Sequence, residues 1–161
     1  MKKILLFLAF LSTTFVQKSF SQENITQAQT QLSQLLNSYY KIKDALVAGN
    51  ADQAAINAEQ FIKAANAIDY KVVAEGNIHA LLKDAGPLSD TKEIKKQREQ
   101  FTKLSTNMIA LAKGIKLGAK PIYEAYCPMK KASWLSDNKT IQNPYYGSIM
   151  LGCGKVVTTI N

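Results

Sequence analysis

Apolar residues recur at three- and four-residue steps along four successive stretches of the chain, and the recurrence stops at Gly118. Such spacing lays one apolar stripe along a helix, which commits the first part of the chain to amphipathic helices packed on one another. Over residues 25–48 the stripe is Leu32, Leu35, Leu36, Tyr39, Ile42 and Leu46, and Gly49-Asn50 closes it. Asp52 can cap a second helix carrying Ala54, Ala58, Phe61, Ala65 and Ile68. A third is expected over residues 71–85, with Ala74, Ile78, Leu81, Leu82 and Ala85 inward and Gly86-Pro87 as its stop. Asp90 and Glu93 have the spacing of a capping box for a fourth, whose stripe is Ile94, Phe101, Leu104, Met108, Leu111 and Ile115. Short loops between helices of this length favour antiparallel neighbours, so the expected body is an antiparallel four-helix bundle over residues 22–118.

Residues 119–161 are of another kind. They hold three of the four prolines, four of the seven tyrosines, the only tryptophan and both cysteines. Residues 121–126 alternate like a short strand and residues 155–160 are β-branched, so the two can pair as a short β-ribbon. Between them, residues 127–154 read as a loop-rich segment that needs the helices to cover its backbone, and long irregular segments in compact domains often carry function. With 161 residues, 47% of them hydrophobic, helices and tail together fit one domain with one core.

The chain starts with an address. Lys2 and Lys3 precede an apolar stretch over residues 4–16, and Ser19-Phe20-Ser21 supplies the small residues that signal peptidase reads. Residues 1–21 are therefore expected to be a secretory signal cleaved after Ser21, which places the protein in the periplasm or outside the cell. The run is shorter than the roughly 20 residues a membrane span needs, so no stable anchor is expected after cleavage. Losing Lys2, Lys3 and Lys18 leaves 17 basic residues against 12 acidic ones, a net charge of +5 rather than +8. That modest excess on an exported chain speaks against nucleic acid as a partner.

Four sulfurs lie in the tail: Cys127 and Met129 at its start, Met150 and Cys153 near its end. Thiolates and thioethers are polarisable donors and select a soft cation such as Cu(I). Structural zinc wants four Cys or His ligands, and the chain has only three such residues, His79 included. His79, on the flank of the third helix, adds an imidazole to the candidate set. The competing reading is a Cys127–Cys153 disulfide, the ordinary fate of two cysteines in an exported chain. In that case Trp134, Tyr145 and Tyr146 would be the exposed surface of a non-catalytic interaction module for another envelope protein.

Catalytic motifs are missing. Gly152-Cys153-Gly154-Lys155 has the look of a phosphate loop, yet Ile149 stands where the first glycine belongs and no Ser or Thr follows the lysine. There is no Gly-x-Ser-x-Gly elbow and no local Cys–His signature. The chain reads as a non-enzyme.

Several motifs resemble one family. Tyr126-Cys127-Pro128-Met129, Trp134-Leu135-Ser136, the run Asn143-Pro144-Tyr145-Tyr146-Gly147 and Met150-Leu151 with Cys153-Gly154 are similar to the C-terminal signature of domain of unknown function 3347. Residues 39–46 and 97–105 resemble that family's helices, so the likeness covers residues 35–160. The resemblance implies an exported helical domain that occurs alone or fused to periplasmic adaptor subunits of heavy-metal efflux pumps. It therefore implies a metal-efflux or envelope partner, and Cys127, Met129, Met150, Cys153 and His79 as Cu(I) donors. No adaptor domain accompanies this chain's motifs.

Overall fold

The computed structural model describes residues 16–161, with side chains from residue 25 onward. The expected secretory signal lies largely outside them. Four helices come first: α1 (Val16–Ala48), α2 (Ala51–Asn66), α3 (Glu75–Ser89) and α4 (Ile94–Gly114). A three-stranded antiparallel sheet follows, made of β1 (Ile122–Cys127), β2 (Ala132–Ser136) and β3 (Lys155–Ile160), with a 3-10 turn at Gly147–Met150. Consecutive helices pack on each other, α4 carries β2, and the 3-10 turn rests on α1. Among the described residues, no helix is long and apolar enough to cross a membrane.

Most residues of the stripes read from the sequence are the observed core, but Ala74, expected inward, is exposed before the third helix begins, and Leu82, Ile94 and Ile115 are only partly buried. Leu35, Tyr39, Ile42 and Leu46 of α1 are fully buried, as are Ala58 and Phe61 of α2, Ile78 and Ala85 of α3, and Phe101, Leu104 and Met108 of α4. The helix ends depart from expectation in four places. Asn50, not Asp52, caps α2, its side chain accepting the Gln53 N–H at 2.9 Å, while Asp52 sits in the first turn. Gly49 takes φ +71° and so ends α1, the role its lack of a side chain suits.

The third helix begins and ends four residues later than its periodicity predicts. Asp69 captures the chain before it, its carboxylate accepting the Lys71 N–H at 2.8 Å and its carbonyl the Val72 N–H at 2.8 Å, an Asx-type turn that competes with helix. At the other end Pro87 lies inside α3. The clash that proline imposes on its predecessor involves a Cβ, and Gly86 has none, so the helix passes through and seats Leu88 in the core. The expected capping box is not formed. Asp90 closes α3 instead, its N–H donating to the Gly86 carbonyl, and Thr91 Oγ1 accepts the Glu93 N–H at 3.2 Å.

The tail holds more sheet than expected. Strands β1 and β3 do pair, but β1 also pairs with β2 across a hairpin in which Cys127 faces Ala132 and Ala125 faces Trp134. Ala-Ser-Trp-Leu-Ser lacks β-branched residues, and Trp134 alone is a weak mark of a strand. On the other side of β1 the register slips at Glu124/Ala125, because β3 carries one extra residue there.

Residues two apart on a strand share a face. Ala125 and Cys127 thus lie on one face with Ala132 and Trp134, while Ile122 and Leu135 lie on the other, and all six are buried. The loop over residues 137–154 folds across the first of these faces.

An aromatic and hydroxyl chain joins sheet to helices. The Tyr39 and Phe101 rings stack at 5.1 Å, Phe101 meets Tyr145 at 6.1 Å, and Tyr145 meets the Trp134 ring edge-on at 5.9 Å. The Tyr39 hydroxyl pairs with Ser105 Oγ at 2.7 Å and accepts the Leu135 N–H at 3.1 Å. Burial without charge compensation pushes the Tyr39 phenol well above its ordinary value, which keeps it a neutral link between α1, α4 and β2. Trp134 and Tyr145 are 1% and 5% exposed, so the expectation that they form an exposed recognition surface is overturned. They are core, because the face they occupy is closed by both helix and loop. Tyr146 is half-buried.

Candidate functional site

The two cysteines, 26 residues apart in the chain, meet in space with their sulfurs 3.5 Å from each other, both as free thiols. Cys127 ends β1 and is fully buried; Cys153 precedes β3 and is partly exposed. The hairpin turn places donors around the buried sulfur. Lys131 adopts the left-handed conformation at φ 55°, uncommon for a residue with a side chain, and this completes the four-residue connection to β2. Within that turn the Lys130 N–H donates to Cys127 Sγ at 3.4 Å.

Asn143 completes the cradle from the opposite side. It is fully buried, donates to the Cys153 carbonyl at 2.7 Å and accepts the Tyr145 N–H at 2.8 Å. The sequence marks Asn143-Pro144 only as turn chemistry, and its place beside the cysteines depends on how the loop closes. Gly154 permits that closure: at φ +153° it lies where a Cβ would come within 2.8 Å of the Trp134 ring and 3.1 Å of the Tyr126 carbonyl.

The two thiols differ in character. Burial raises Cys127, but donation from the Lys130 N–H, the Asn143 side chain, the Cys153 thiol and the Met129 N–H outweighs it, and the net effect is a thiol more acidic than usual. Cys153 is pushed the other way, first because it donates to Cys127, then by burial and by the charge that Cys127 acquires. Of the two, Cys127 is the thiol these contacts favour to lose its proton first.

The remaining candidate donors are distributed as follows. Met129 is a residue of the turn, and its side chain is 64% exposed. Met150 is half-buried and accepts the Cys153 N–H on its carbonyl at 3.0 Å. Met150 thus adjoins the sulfur pair through its backbone. His79 is exposed on α3, its imidazole 3.7 Å from Glu75 and its ring edge-on to Tyr70 at 6.5 Å. Among the described residues, no three His, Cys, Asp or Glu side chains converge in a way that could hold a metal ion. The donor set therefore does not suit a four-ligand zinc site.

The model of a family described as "Protein of unknown function (DUF3347)" matches residues 35–120. The chain belongs to this family. The matched stretch runs from the middle of α1 to the residue before Pro121, so it takes in the helices and stops short of the sheet and both cysteines. No curated protein and no solved structure matches the chain.

Proposed function

We propose that this DUF3347 protein is a non-catalytic, exported soft-metal handler that holds a cation such as Cu(I) between Cys127 and Cys153. The observation that carries the reading is the 3.5 Å approach of the two sulfurs, one of them buried among N–H donors that favour its deprotonated form. Thiolate is the form that binds metal, and two thiolates match a soft monovalent ion better than a hard or borderline one. In sequence, the Met129 and Met150 thioethers lie two and three residues from Cys127 and Cys153. His79 takes no part, being engaged with Glu75 and Tyr70. In the same reading, residues 1–21 direct export, the four helices form an antiparallel bundle that supports the site, and the partner is an envelope or metal-efflux protein rather than a nucleic acid.

An oxygen-free titration of the reduced protein against a chromogenic Cu(I) chelator tests this. We expect one equivalent withheld from the chelator by the wild type and by His79→Ala, and none by Cys127→Ser or Cys153→Ser. Equal retention by the cysteine variants would end the proposal.

The second reading keeps the pair as a structural disulfide of an interaction module, and the full burial of Cys127 favours it. A thiol count on protein taken from an oxidising compartment separates the two. The disulfide reading requires no free thiol even in cells supplied with copper.

A further inference from the structure

The sulfur pair is asymmetric in access. Cys127 Sγ is enclosed by the hairpin turn, Asn143 and Cys153, and its residue has no solvent exposure. Cys153 lies over it, partly exposed, on a loop whose neighbours Ile149 and Leu151 are themselves exposed at 81% and 41%. Any reagent arriving from solvent meets Cys153 first.

We propose that Cys127 and Cys153 form a thiol–disulfide exchange site in which only Cys153 bonds to an external thiol, while Cys127 bonds to nothing but Cys153. The co-reactant is a low-molecular-weight or protein disulfide. In the oxidising direction the Cys153 thiolate attacks one sulfur of that disulfide, its S–S bond breaks, and one thiolate leaves with the electron pair and takes a proton from water. The Cys127 thiolate, 3.5 Å away, then attacks Cys153 Sγ and expels the second external thiolate. Two protein thiols lose two electrons in total, and one external disulfide becomes two thiols.

In reverse, an external thiolate attacks Cys153 Sγ and the electron pair returns to Cys127, whose sulfur accepts the Lys130 N–H at 3.4 Å. Exchange depends on which sulfur can be reached. The reachable sulfur is Cys153 and the enclosed one is its partner, so an external thiol engages Cys153 alone. Bond formation needs the sulfurs to close to about 2.0 Å, a shift at the loop end that carries Cys153 rather than a rearrangement of the sheet.

The proposal goes beyond metal handling and uses no metal, so copper retention and exchange can fail separately. Its test is reaction of the reduced protein with glutathione disulfide, quenched in acid at intervals and mapped on tryptic peptides. Lys130, Lys131 and Lys139 place the two cysteines on separate peptides. We expect a transient glutathione adduct on the Cys153 peptide alone, replaced by the internal disulfide. In Cys127→Ser the adduct should accumulate. In Cys153→Ser, modification of Cys127 should be at least tenfold slower than that of Cys153 in Cys127→Ser, and the difference should vanish in denaturant. An adduct on Cys127 in the wild type, equal rates in the two folded variants, or no internal disulfide would each overturn the proposal. The wild-type measurement stands even if a variant folds poorly.

Discussion

The helices and the C-terminal segment are both buried, yet by different means. The helices bury a repeating stripe, in which each residue does much the same job as the one three or four positions away. The tail buries single residues that have no equivalent: Trp134 against Tyr145, Leu135 under the Tyr39 hydroxyl, Asn143 among the cysteines. Periodic packing tolerates local change and one-off packing does not. The sulfurs sit in the second kind, where position is set by a few specific contacts.

The largest expected effect comes from removing the aromatic that joins the regions. Trp134→Ala should cost about 3–5 kcal/mol, as for other buried large aromatics, and should do so in a single unfolding transition seen by thermal or denaturant melts. Two separated transitions would mean that the tail and the helices are independent units, and the comparison would then be between two domains rather than two ways of packing one core.

Next in size is Tyr39→Phe. It keeps the ring stack on Phe101 but strips the partner from Ser105 Oγ and from the Leu135 N–H, at about 1–3 kcal/mol for buried polar groups left unpaired. Faster hydrogen exchange at the Leu135 amide than at amides of α2 would place the loss in the sheet. Uniform acceleration would show that the hydroxyl serves the whole core.

The smallest effect is the most local, the titration of the reduced thiols followed by ultraviolet thiolate absorbance. The first proton should leave below the ordinary thiol value of about 8.5 and the second above it. Cys127, depressed in the folded state, contributes stability that is complete above the unfolded thiol value and lost as pH falls through the folded one. Cys153, raised, contributes stability that is complete below the unfolded value and lost as pH rises through its folded one. Asn143→Ala should bring the two steps closer by taking a donor from Cys127, whereas unchanged steps would remove Asn143 from the site.

Legibility followed the same division. The stripes on α1 to α4 were readable because 3.6-residue periodicity survives without knowledge of the partner surface. Helix ends were less so: Asp69, Asn50 and Gly86 decide them through single hydrogen bonds or a missing Cβ. In the tail, the pairing of β1 with β3 was visible in Val156, Val157 and the threonines, but β2 was hidden because its residues gain strand character mainly from the hairpin. The cysteines stood out by type. Their 3.5 Å approach, their unequal access and the part played by Asn143 depend on a loop closure that no local pattern encodes.

The central claim is that Cys127 and Cys153 act as one functional sulfur pair. Native mass spectrometry of the protein recovered from bacterial envelopes grown with added copper tests it most directly. The account predicts a species heavier by one copper in the wild type, absent when either cysteine is changed to serine. Copper carried equally by the wild type and both variants, or by none of them while both thiols stay free, would contradict it.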